Sequence, residues 1–153
     1  MFSKFKILVI SIAIPLLFGF IGSMLGDSSS GFEALIKPPF TPPAFVFPIV
    51  WTILYILMGI SSYMIYTSNN DNKTSALIIY LVQLGLNSLW TLFFFQYELL
   101  LFSFWWIILI TILVIIMICL FYEIKPIAAY LQIPYLLWLV FAAILNYSIY
   151  LIN

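Results

Sequence analysis

The chain has 153 residues, 66% of them hydrophobic and 7% charged, with five acidic side chains balancing five basic ones. A water-soluble domain is roughly a quarter charged, so this composition excludes one and makes lipid the solvent of an integral membrane protein. The neutral balance offers nothing to nucleic acid. Every basic residue is a lysine and histidine is absent, which excludes His-ligated haem, His-rich zinc sites and a histidine general base.

The first apolar run, 5–25, follows Lys4 and Lys6 and has some features of a signal peptide, with a vague cleavage site in "GSMLGDSSSG". Its length favours a retained span. Gly22-x-x-x-Gly26, with Gly19-x-x-x-Ser23 beside it, allows a second helix to approach closely, either within the bundle or from another copy.

The connector 26–44 is the one long one, and it leads into "KPPFTPPAFVFPIVW". Pro38, Pro39, Pro42, Pro43 and Pro48 restrict φ and stiffen the chain as it reaches the bilayer. Pro42 and Pro43 suit the approach to a helix, and Pro48 falls near its start, where a missing N–H costs little. They either start a helix or form a rigid lid over an interhelical cavity. Their density, with Lys37 alongside, favours the lid.

Four more apolar runs follow at 45–66, 75–95, 99–122 and 127–152, separated by the polar links "SNNDNK", "QYE" and "EIK". Each run is long enough to cross a hydrocarbon core of ~30 Å at ~1.5 Å per residue. The prediction is an all-α integral membrane protein, a single five-helix bundle over 1–153. Lys4, Lys6, Lys73 and Lys125 then share one side, so the positive-inside rule puts the N-terminus in the cytoplasm and the long loop outside. Cys119, the only cysteine, is expected as a small core residue.

Polar side chains within spans mark inward faces, because lipid penalises unpaired ones. Gln83, Asn87 and Trp90 recur at i, i+4 and i+7, and Pro48, Trp51, Tyr55 and Ser62 form a similar stripe. In the last span Trp138 and Ala142 fall together, with Asn146 displaced to the side. Asn and Gln can also simply join helices, and Trp51 and Trp138 can serve as interfacial residues, although both lie several residues inside their spans. Tryptophans, tyrosines and amides converging beneath a stiff loop predict an aromatic pocket for a flat apolar ligand with a few polar edges. No catalytic triad, zinc spacing, Walker loop or pair of intramembrane carboxylates accompanies it, and no metal site is expected.

At these residues the sequence resembles the translocator protein family, TspO/MBR. The resemblance rests on "LIKPPFTPPAFVFPIVWTILYILMGISSYMIY", "QLGLNSLWTLFFF" and "IPYLLWLVFAAILNYSIYLIN". It implies a five-helix bundle, commonly a homodimer, that binds porphyrins such as protoporphyrin IX beneath the first loop, with sterols and benzodiazepine-type compounds as further family ligands. By position, Trp51, Asn87 and Trp138 match pocket residues, with Phe32, Pro42, Tyr55, Trp90 and Ala142 as neighbours. Some bacterial relatives degrade bound porphyrin in light with a tryptophan pair, which here would be Trp51 and Trp138.

Two departures stand out. Gly31 and Phe32 occupy the place of a common Trp-Tyr pair, so Phe32 offers only stacking. Tyr147 and Tyr150 lack the basic residue of the cholesterol-recognition pattern. The residues leave open a tetrapyrrole binder acting as sensor, scavenger or transporter, a photochemical enzyme, or a translocation path for an apolar ligand. The expected setting is a bacterial cell membrane, with lipid and porphyrin as partners and no required cofactor. Lys37 is either a partner for a ligand carboxylate or a solvated loop charge.

Overall fold

The computed structural model describes residues 3–26 and 29–153, and the side chains of 29–31 lie outside that description. Asp27 and Ser28, in the region of the candidate cleavage site, also fall outside it. The described chain forms α1 (Lys4–Leu25), a short α2 (Ser29–Ala34), α3 (Val46–Tyr66), α4 (Lys73–Thr91), α5 (Leu100–Ile124), a short α6 (Pro126–Tyr130) and α7 (Ile133–Ile152). Among the described residues, five helical stretches are long and apolar enough to cross a membrane, in agreement with the five expected spans.

The bundle has a polarity opposite to that of a soluble protein. Ser61, Ser62, Gln83, Asn87, Ser88, Ser103 and Asn146 are buried, while Ile112, Ile115, Leu137 and Ile144 are exposed. Backbone and side-chain polar groups need partners that hydrocarbon cannot supply, so the polar positions turn inward and the aliphatic ones meet lipid. In α5 the inward face is Ile107, Ile110, Val114, Met117 and Phe121, at helical spacing. That register directs Cys119 outward, and its side chain is exposed rather than part of the core. A thiol is small and weakly polar enough to face lipid as readily as protein.

The small residues of α1 serve contacts inside the chain. A Cβ on Gly22 would stand 3.3 Å from the Ser88 Cα, and one on Gly26 would come 2.7 Å from the Thr91 Cβ. The Ser88 hydroxyl donates to the Phe18 carbonyl at 2.7 Å, and that of Thr91 donates to the Gly22 carbonyl. On α3, Gly59 lies against the backbone of Ile12, where any side chain would collide. The close approach that the sequence left open between bundle and dimer is therefore used by α1 against α3 and α4.

Two departures from regular helix shape the bundle. After α4 the chain widens into a π turn, Leu92–Gln96, in which the Tyr97 N–H donates to the Leu92 carbonyl at 3.0 Å. Glu98, at φ 53°, then stops the helix in the left-handed region. The expected span 127–152 is broken into α6 and α7 around Leu131 and Gln132, because Pro134 has no N–H to continue the ladder and its ring crowds the preceding turn.

The two ends of the bundle differ. At the end holding α6, the Ser61 hydroxyl donates to the Ala128 carbonyl at 2.6 Å, and Met58, Ile65, Ala76, Met117 and Phe121 are fully enclosed. At the other end, the loop 35–45 comes to Asn153, whose side chain bonds the backbone of Ile36. Loop and residue 153 thus share one side, as five crossings require.

Candidate functional site

Beneath that loop lies a cavity of about 660 Å³, within the roughly 300–1,000 Å³ of small-molecule sites. It is walled by α1, α3, α4 with its π turn, α5 and α7, and by Phe32 and Ala44 from the segment between α1 and α3. Among the described residues, no charged side chain lines it, and neither does any cysteine or methionine. The wall is therefore a low-dielectric surface with a few dipoles.

Its centre is a pair of indoles from different helices. The Trp51 and Trp138 rings stand 6.5 Å apart at 89°, edge to face. Trp51 stacks on Tyr55 at 5.5 Å and 28°. Phe47 and Phe141 meet Trp138 at 5.9 and 5.2 Å. Opposite, Trp90 stacks on Phe94 at 4.9 Å and meets Phe95 edge-on at 5.7 Å. The π turn presents both Phe94 and Phe95 to the cavity by changing the angular step between consecutive side chains. Aromatic rings have few rotamers and pack edge to face at such distances, so the wall is stiff.

The polar atoms form directed chains. The Tyr55 hydroxyl donates to Asn87 Oδ1 at 3.2 Å, Asn87 Nδ2 donates to the Tyr135 hydroxyl at 2.8 Å, and that hydroxyl donates to Gln83 Oε1 at 2.6 Å. Trp90 Nε1 donates to Asn146 Oδ1 at 3.2 Å, while Asn146 Nδ2 donates to the Leu100 carbonyl at 2.9 Å. Asn87 is thus held from both sides and keeps one N–H and one lone pair for a ligand. The Trp138 N–H is buried and meets no protein acceptor.

Of the positions singled out in the sequence, Phe32, Trp51, Tyr55, Asn87, Trp90, Trp138 and Ala142 all line the cavity. Pro42 does not. Its neighbour Pro43 instead accepts the Val46 N–H at 3.0 Å in the turn that enters α3, and Pro48 is the loop-side proline on the wall. Asn146, read as displaced to the side, is also on the wall, eight residues and just over two turns beyond Trp138. Gln83 supports the site from behind, through Tyr135. Ser62 is spent on the Gly59 carbonyl of its own helix at 3.0 Å.

Sequence reasoning passed over Phe47, Phe94, Tyr135 and Phe141. Each lies three or four residues from an indole already named, and helical neighbours of a wall residue are the signal that finds them. Lys37 is engaged on its own segment: its Nζ donates to the Leu35 and Glu33 carbonyls at 3.3 and 3.4 Å and sits 4.7 Å above the Phe32 ring.

Comparison with known proteins gives the same picture. The model of the TspO/MBR family matches residues 11–151. A tryptophan-rich protein TspO from Archaeoglobus fulgidus is 38% identical over 148 residues, covering 95% of this chain and 96% of that one. The translocator protein of Sus scrofa is 33% identical over 142 residues, with 90% and 84% covered. A tryptophan-rich sensory protein from Cereibacter sphaeroides is 30% identical over 122 residues, with 80% and 76% covered. Matched nearly end to end, and with five apolar helices around an aromatic cavity, this chain belongs to the TspO/MBR family.

Proposed function

We propose that this membrane protein binds a metal-free porphyrin of the protoporphyrin IX type in the cavity, against the wall formed by Trp51 and Trp138, and so acts as a tetrapyrrole sensor, scavenger or transporter in a bacterial cell membrane. The observation that carries the reading is the uncharged cavity, in which two indoles from separate helices stand edge to face at 6.5 Å. A flat macrocycle has two apolar faces for such walls and a few polar edge atoms for the spare Asn87 valences and the Trp138 N–H. With no histidine, cysteine or methionine among the described residues of the wall, and with Tyr55 engaged by Asn87, the residues do not favour an axial metal ligand.

Burying a carboxylate against an uncharged wall is costly, so the propionates of such a ligand belong at the loop, toward Lys37. A second reading is photochemical. Trp51 stacks on Tyr55, and an indole backed by a phenol is a suitable electron donor to a photo-excited macrocycle.

Absorbance titration of the detergent-solubilised protein with protoporphyrin IX, in darkness and then under illumination, tests both readings. Binding is expected to saturate with a shifted Soret band and quenched tryptophan fluorescence. A linear, non-saturating response would contradict the binding reading. Light-dependent loss of the band with a new product, absent in darkness and in Trp51→Phe/Trp138→Phe, would support the second reading, and a band that survives illumination would leave a binder.

A further inference from the structure

We propose that the side chain of Asn153 is the latch of the 35–45 loop, and that its release sets how fast the cavity exchanges its ligand; this rests on the binding reading above. The loop is stiff and poor in donors, because Pro38, Pro39, Pro42 and Pro43 carry no N–H. Its other hydrogen bonds are local: the Thr41 N–H and hydroxyl both bond the Pro38 carbonyl, and the Lys37 amine bonds the carbonyls of Leu35 and Glu33.

Among the described residues, and apart from the turn bond from the Val46 N–H to the Pro43 carbonyl where the loop enters α3, two hydrogen bonds join this loop to the helical bundle, and both come from one carboxamide. The Ile36 N–H donates to Asn153 Oδ1 at 3.0 Å, and Asn153 Nδ2 donates to the Ile36 carbonyl at 2.7 Å. The carboxamide therefore pairs with Ile36 as a neighbouring strand would. It is oriented for this by α7, since Asn153 Nδ2 also donates to the Ile149 carbonyl at 2.8 Å and the Asn153 backbone N–H bonds that same carbonyl at 3.1 Å.

The remaining attachments of the loop to α7 are apolar: Phe40 meets Phe141, a cavity residue, edge to face at 6.3 Å, and Leu35 packs on the cluster of Phe94, Leu145 and Ile149. Ile36 and Asn153 are both exposed, so water competes for the latch bonds, which are individually weak and reversible. Breaking two bonds at one residue leaves apolar contacts alone to hold a stretch that its prolines stiffen. That is the behaviour expected of a gate.

The test uses the full chain with Asn153→Ala and Asn153→Asp, the latter keeping an acceptor for the Ile36 N–H but no donor. Amide hydrogen exchange of the ligand-free protein is expected to rise at Ile36 and its neighbours in Asn153→Ala, and less in Asn153→Asp. Stopped-flow quenching with protoporphyrin IX is expected to show association and dissociation both accelerated, roughly tenfold for two lost bonds, with the Kd changed far less. A merely structural role would shift Kd or the unfolding temperature and leave the two rates uncoupled.

Unchanged exchange at Ile36 would overturn the latch. Raised exchange with unchanged ligand rates would overturn its role as gate, the ligand then passing elsewhere. A parent protein that does not quench porphyrin would refute the binding reading instead, while the exchange measurement still decides whether the latch exists.

Discussion

The two ends of this bundle are made by the same helices and obey opposite packing rules. At the α6 end, small and flexible residues such as Ala76, Ala128, Met58 and Met117 interdigitate and leave no exposed surface. At the loop end, large rigid rings brace one another edge to face and leave about 660 Å³ unfilled. Lipid supplies little hydrophobic drive for bringing helices together, so the close-packed end and the glycine contacts of α1 must carry much of the stability. The aromatic end can then remain open. One end holds the helices, and the other uses the space between them.

Truncation on each side is the strongest way to break that contrast. Phe121→Ala opens an enclosed void and removes a fully buried ring, an expected loss of about 3–5 kcal/mol. Phe94→Ala enlarges a cavity that already exists, so it should cost about half as much. Unfolding in mixed detergent measures both, and equal losses would show that the loop end is packed as tightly as the other. At the small end of the scale, Cys119→Ala should leave stability within about 0.5 kcal/mol and porphyrin affinity unchanged, because the side chain faces outward. A larger loss would place that face against another protein surface.

Much of the fold was legible in the sequence, because length, apolarity and polar punctuation define spans almost unaided. The inward stripes at 83, 87 and 90 and at 48, 51 and 55 were legible too, since a polar or aromatic residue has few places to go in lipid. What escaped had physical reasons. Nothing in "LFFFQ" distinguishes a π turn from an α-helix, since all five residues are compatible with either. Cys119 was misplaced because in α5 both faces are apolar, and only the 110, 114, 117 and 121 register separates them. Pro42 was assigned to the wall from the family likeness, whereas its neighbour Pro43 helps build the turn into α3. Gly59 drew no notice, although its contact with Ile12 permits the close fit of α1 on α3.

The most direct test of the central claim is a dark titration of protoporphyrin IX into Trp51→Phe/Trp138→Phe beside the parent. Phenylalanine keeps an aromatic wall but removes the indole area and the unpaired Trp138 N–H. If the macrocycle lies against these rings, affinity should fall by roughly tenfold or more, given about 0.5–1.5 kcal/mol for each aromatic contact, while the unfolding temperature stays close to that of the parent. Identical binding curves for the two proteins would contradict it.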